Sequence, residues 1–175
     1  MADVIDIRNL IVSGLTRHLG RPVILSDQVA PREGYPFVYY TLLTSYIPQA
    51  TLGNYTREPA PDGGVIVTRS EQPTMTLSLT ACSINRDDGG AWISGEDEAI
   101  RLATAARAWF VHIARAELSA QGIVVVDVQN VQSRSAIIVE DIERRWGFDV
   151  RLRYSEALSR RDETIQDITI KEASK

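Results

Sequence analysis

From Arg145 to Tyr154 the chain alternates. Trp146, Phe148, Val150, Leu152 and Tyr154 fall on one side, and Arg145, Asp149, Arg151 and Arg153 on the other. A period of two excludes a helix and specifies a strand with one apolar face. Thr74 to Ser83 repeats the pattern, with Met75, Leu77, Leu79 and Ala81 against a ladder of Thr74, Thr76, Ser78, Thr80 and Cys82. That reads as a half-exposed sheet. An apolar sheet face needs a cover, and two stretches of helical period can supply it.

The first runs from Asp3 to Leu19, with Val4, Ile7, Leu10, Ile11, Leu15 and Leu19 on one stripe, Asp3 as N-cap, and Gly20 with Pro22 as the stop. The second opens at Ser94-Gly95-Glu96-Asp97, which resembles a capping box, and ends at Gly122. Its stripe is Ile100, Ala103, Ala106, Trp109, Phe110, Ile113, Ala114 and Leu118. Other strands are expected at Pro22–Leu25, Pro36–Ile47, Val65–Val67 and Ile123–Val128. Both faces of Pro36–Ile47 are apolar or aromatic, so it is expected to be covered on both sides. The order is helix, strands, helix, strands, without βαβ alternation. The fold class is therefore α+β, one mostly antiparallel sheet with two main helices on one face and extended loop arms.

Two connections fall outside this frame. Pro48 to Gly64 holds three glycines, three prolines and almost nothing to bury, and reads as an extended loop or arm. Gln129 to Glu143 is a second long connection. The tail carries Ile165, Ile168 and Ile170 and then a polar end at about 171–175. With 175 residues, one domain covering 1–175 is expected.

Acidic residues outnumber basic ones by 23 to 19, giving a net charge of −4. This argues against a protein built to grip nucleic acid. All the basic residues but Lys171 and Lys175 are arginine. Arginine suits ordered ion pairs and interfaces, and a genomic codon bias accounts for it equally well. The start of the chain shows no signal-peptide pattern and no stretch long enough to span a bilayer, so assembly in a reducing cytoplasm is expected.

No catalytic motif is present, and no catalytic, cofactor-binding or metal-binding residue is assigned. Asp87-Asp88-Gly89-Gly90 lacks the ligand spacing of a calcium loop and reads as a solvated turn. Glu96, Asp97 and Glu98 sit at a helix start, where the helix dipole favours acids. Glu140, Asp141 and Glu143 followed by Arg144 and Arg145 read as a solvated charged loop, with an inter-subunit salt-bridge patch as the alternative. His18 and His112 are isolated, and Cys82 reads as a packed thiol rather than a nucleophile. Trp109 and Phe110 read as core.

The chain also resembles a known family, the neck or tail-terminator proteins of tailed bacteriophages. The likeness runs from about Ile5 to Ile170. Its N-terminal part rests on the first helix ending in Gly20-Arg21-Pro22-Val23-Ile24, then Ser26-Asp27-Gln28 and Tyr35-Pro36-Phe37-Val38-Tyr39-Tyr40. Met75 to Ala81, the helix with Ala108-Trp109-Phe110, and Ile123 to Val128 follow. Glu143-Arg144-Arg145-Trp146-Gly147-Phe148-Asp149-Val150-Arg151-Leu152 is the most specific segment.

The resemblance implies a structural virion protein of the neck that forms a ring, typically a homo-hexamer. Such a ring caps the tail tube, stops its polymerisation and joins the tail to the head connector. The implied partners are further copies of itself, the tail tube protein, a head-completion or connector protein and, where a sheath exists, the tail sheath. Genomic DNA would pass through without tight binding, and no membrane or cofactor is involved. Candidates to line the lumen are Asp87, Asp88, Glu96, Asp97 and Glu98. The alternatives are another head-tail connector, a tail-tube protein or a soluble ligand-binding domain.

Overall fold

A computed structural model describes residues 3–27, 34–50, 52–61, 63–138 and 141–163. The tail with Ile165, Ile168 and Ile170, and the polar end at 171–175, lie outside the described residues. So do Gln28, Pro31 and Glu140.

The chain begins with α1 (Val4–Leu19), capped by Asp3 and closed by Gly20 in the left-handed region at φ 59°. Strands β1 (Val23–Leu25), β2 (Phe37–Ile47), β3 (Asn54–Pro59), β4 (Val65–Glu71) and β5 (Thr74–Ser83) follow. A small hairpin comes next, β6 (Arg86–Asp88) and β7 (Ala91–Ile93). Then come α2 (Gly95–Ala108), a π-helical turn (Trp109–Ile113) and α3 (Arg115–Ala120). The chain continues through β8 (Ile123–Val128), β9 (Gln132–Ser133), β10 (Ala136–Ile138), β11 (Asp141–Tyr154) and β12 (Glu156–Asp162).

Among the described residues, seven strands form the main sheet. Its path is β1-β2-β5-β11, and β11 pairs along its far edge with β10, β9 and β8 in turn. Only β1–β2 is parallel. The α+β reading holds. One face carries Met75, Leu77 and Leu79 of β5 and Phe148, Val150 and Leu152 of β11, all at most 2% exposed. Ile7, Ile11 and Leu15 of α1 and Ala103 and Ala106 of α2 close over them in one cluster. Trp109, Phe110 and Phe148 stack edge to face, with centroids 4.9 and 6.2 Å apart. Gly14 lets α1 approach this stack, since a Cβ there would lie 2.6 Å from the Trp109 ring.

The structure corrects several expectations. Pro48–Gly64 is not an unstructured loop, because it contains β3. With β4 and β12 this strand forms a separate three-stranded sheet in the order β12-β4-β3. The Gln129–Glu143 connection contains β9 and β10 and the start of β11. Strand β2 is covered on both sides only in its first half. Leu43 and Ile47 are 53% and 41% exposed, because the helices end short of the arm. The hydroxyl face of β5 is covered at one end, where Thr80 and Cys82 are buried. In the second helical stretch, the π turn adds a residue to the backbone ring: the amide of Ala114 bonds the carbonyl of Trp109. Ile113 thereby leaves the apolar stripe and is 53% exposed.

Candidate functional site

Three polar clusters and one bare sheet define the surfaces of the molecule. The first cluster lies on the outer face of the main sheet. Arg134 follows β9 and crosses over β11 at Gly147. Its guanidinium donates to Ser78 Oγ at 2.6 Å, Thr80 Oγ1 at 3.1 Å and Asp149 Oδ1 at 2.7 Å. A side chain at Gly147 has no room here: its Cβ would lie 2.4 Å from the Leu79 carbonyl and 3.1 Å from the Arg134 guanidinium. The glycine and aspartate of the Gly147-Phe148-Asp149 segment thus share one purpose, to seat an arginine from the neighbouring strand.

Further along the same face, Arg145 pairs with Glu143 and lies 6.0 Å from the centre of the Tyr39 ring. Tyr35 donates its hydroxyl to Glu143 at 2.6 Å. Glu143 is 4% exposed, so the solvated-loop reading fails for it: it is a buried partner within its own chain. The thiol of Cys82 lies in the same region. Burial, aided by the Glu143 charge, pushes it up to about 12, so it stays protonated at neutral pH. A nucleophile needs the opposite shift. His18 and His112 are both exposed, on α1 and on the π turn. Arg151 is exposed and Arg153 half-buried, and neither has an ion-pair partner among the described residues.

The second cluster anchors the start of α2. Ser94 Oγ accepts the Asp97 amide at 3.3 Å, as the capping reading expects. The other two acids have partners. Arg86 grips Glu98 with both terminal nitrogens, at 2.7 and 3.0 Å, and Ser83 donates to the same carboxylate. Arg86 first, with Ser83, holds the Glu98 carboxyl below the ordinary range. Glu96 accepts the Trp146 indole N–H at 2.8 Å and lies 3.8 Å from Arg144 Nε. That nitrogen is buried without a hydrogen bond. Asp87 uses Oδ1 to hold the Gly90 amide at 2.7 Å, closing the tight β6–β7 turn, whose Gly89 and Gly90 have φ of 65° and 91°.

The third cluster sits at the root of the three-stranded sheet and was not legible in the sequence. Glu71, with a side chain 1% exposed, is held by Arg69, by the Tyr46 hydroxyl at 2.8 Å and by the Gln49 amide at 3.1 Å. Glu156 Oε2 lies 3.1 Å from the same hydroxyl. Arg69 also donates to the Leu52 carbonyl at 2.9 Å. The Tyr46 hydrogen bond first, with the Arg69 charge, keeps the Glu71 carboxyl below its usual range despite burial. This knot ties β2, β4, β12 and the segment leading into β3 together where the arm leaves the body. Beside it an open groove of about 870 Å³ is lined by Gln49, Gly53, Asn54, Glu71, Gln72 and Glu156, among others.

Beyond the knot, the outer strands of the arm are bare. Every residue of β3 is exposed, and β12 is exposed from Ala157 to Arg161. By register, Tyr55, Val67 and Leu158 share one face, flanked by Arg57, Arg69 and Arg160. Tyr55 and Leu158 are 51% and 55% exposed. Val67, on the middle strand of that face, is 4% exposed, while the two outer strands are open.

Among the described residues, no group of His, Cys, Asp or Glu is arranged to hold a metal, and no helix is long and apolar enough to cross a membrane. No curated protein matches the chain. A family described as phage neck terminator protein does match it, over residues 6–174. That span takes in both helices, the main sheet and the arm, including the Glu143–Leu152 segment with its seated arginine. The chain therefore belongs to the phage neck terminator protein family, a family of structural proteins of the phage neck.

Proposed function

We propose that this virion protein assembles as a homo-hexameric ring at the head-proximal end of the tail tube. There it stops tube polymerisation and joins the tail to the head connector. The whole chain acts as one tail-terminator-like domain, assembled in the host cytoplasm. Its partners are its own copies, the tail tube protein, a head-completion or connector protein and, where a sheath exists, the sheath. It performs no catalytic turnover.

The observation that carries this reading is the bare three-stranded arm. An isolated small sheet is marginal in water, and this one exposes Tyr55 and Leu158 as well as the edges of β3 and β12. A neighbouring subunit or ring supplies the missing layer. A ring of six would carry a charge of about −24, which disfavours tight contact with a moving polyanion. Of the acids named for the lumen, Glu96, Glu98 and Asp87 each accept a hydrogen bond within the chain, which leaves Asp88 and Asp97.

Native mass measurement and negative-stain imaging of the purified protein test the ring. Six-copy rings support it. Long tubes would assign the chain to tail-tube behaviour, and monomers at high concentration, with no capping of added tubes, would contradict it.

A further inference from the structure

Trp92 is the most exposed aromatic residue of the body, at 72%. It stands on β7 directly opposite Asp87 of β6, so indole and carboxylate share one face of the hairpin. The hairpin is held rigidly. Its turn is closed by Asp87, its base is clamped by the Arg86–Glu98 pair, and Asn85 Oδ1 accepts the Gly95 amide at 2.9 Å. An indole displayed this way carries a large apolar surface at little further entropic cost, which is the profile of an interface anchor.

A matching concavity lies at the other end of the helical run. Arg115, Ala116 and Ser119 of α3 and Ile123, Val124 and Val125 of β8 line a groove of about 290 Å³. That is at the small end of ligand pockets and suits one aromatic side chain. Ile123 is buried, while Val124 is 40% exposed. The exposed Arg115 has no ion-pair partner among the described residues. The groove thus sets the apolar side chains of Ile123, Val124 and Val125 beside Ser119 and one cation, Arg115, and the hairpin sets the Trp92 indole beside two exposed carboxylates, Asp87 and Asp88.

A chain cannot satisfy its own groove. The hairpin is tied to the first turn of α2, the groove lies beyond its last turn, and α2's 14 residues alone span about 21 Å. Two complementary patches at distant points of one surface make a heterologous, head-to-tail contact, the kind that generates a ring when the rotation closes.

We propose that Trp92 of one copy fills the α3–β8 groove of the next, with Asp87 facing Arg115. This inference rests on the ring reading above and assigns one of its subunit contacts. It also places Asp87 at the interface.

The test places one cysteine next to Trp92 in the chain and one on the rim of the groove, and leaves Trp92, Asp87 and Arg115 in place. Ala91 and Ser119 are exposed, and the native Cys82 is buried with its thiol protonated, so background crosslinking is negligible. Under mild oxidation, Ala91→Cys/Ser119→Cys should give a covalent ladder ending at the ring size. An equal mixture of the two single variants should stop at dimers, and each single variant alone should give none. Trp92→Ala should leave the thermal transition in place and lower the assembled fraction at least tenfold. Rings without any ladder, or rings unchanged by Trp92→Ala, would overturn this contact and leave the ring reading standing. Dimers from Ala91→Cys alone would show a symmetric contact and overturn it as well. An unmodified chain that forms no ring in the native mass measurement would overturn both.

Discussion

Body and arm share the same strands. β4 and β5 are one ribbon interrupted at Gln72-Pro73, and β11 and β12 another interrupted at Ser155. On one side of these breaks, β11 has one face covered by helices and buries Phe148, Val150 and Leu152. On the other, β12 runs from Ala157 to Arg161 without a buried side chain. The body meets its own burial requirement within one chain. The arm keeps its backbone paired, its root tied and its middle strand shielded, yet leaves both outer strands open. In a structural protein of the phage neck, that division separates what holds the subunit together from what is left for neighbours.

The comparison breaks most easily in the body. Phe148→Ala should destabilise the fold by about 3–5 kcal/mol in urea unfolding, because it opens a cavity beneath Phe110. Its neighbour Gly147→Ala should cost about 1–3 kcal/mol, since the new methyl meets the Leu79 carbonyl and displaces Arg134.

The arm should respond to acid instead. Glu71 has a lowered pKa in the fold, so its contribution is complete above the ordinary glutamate range, near 4.3, and is lost as pH falls through the lowered value. Amide protection across Asn54–Glu71, taken relative to the intrinsic exchange rate at each pH, should stay flat from pH 7 to 5 and fall below about pH 4. Glu71→Gln should loosen the arm at pH 7 and abolish the pH dependence. An arm that keeps its protection at pH 3 would remove the knot from the account.

The smallest folding effect belongs to the outer face. Arg151→Glu and Arg153→Glu should each change stability by no more than about 0.5 kcal/mol, as both lack ion-pair partners among the described residues. Each should still weaken assembly, measured as the fraction of tails capped. Unfolding as severe as that of Phe148→Ala would refute the assignment of faces.

How much of this was legible follows the same division. α1 and β5 match the bounds read from their periodicity to within a residue, because each buries one face and so writes a pattern, and β8 matches the bounds of its β-branched run. β3 and β12 bury no face, write no pattern and are strands only because they pair with β4. Glu156–Asp162 was invisible for that reason. The π turn was hidden because a strict helical period assigns Ile113 to the stripe that the extra residue removes. The Arg134 site joins positions far apart in sequence. Its one local sign was Gly147, a glycine inside a clear strand, which marks close approach by another group. Family resemblance, carried largely by the Glu143–Leu152 segment, reached the neck assignment that no single motif could.

The division between a self-sufficient body and an arm kept for neighbours is tested most directly by removing β3. A chain lacking Gly53 to Asp62 should purify as a folded monomer, with the thermal transition of the body retained, and should fail to cap tail tubes in an in vitro assembly assay. Normal capping by that deletion variant would contradict the account.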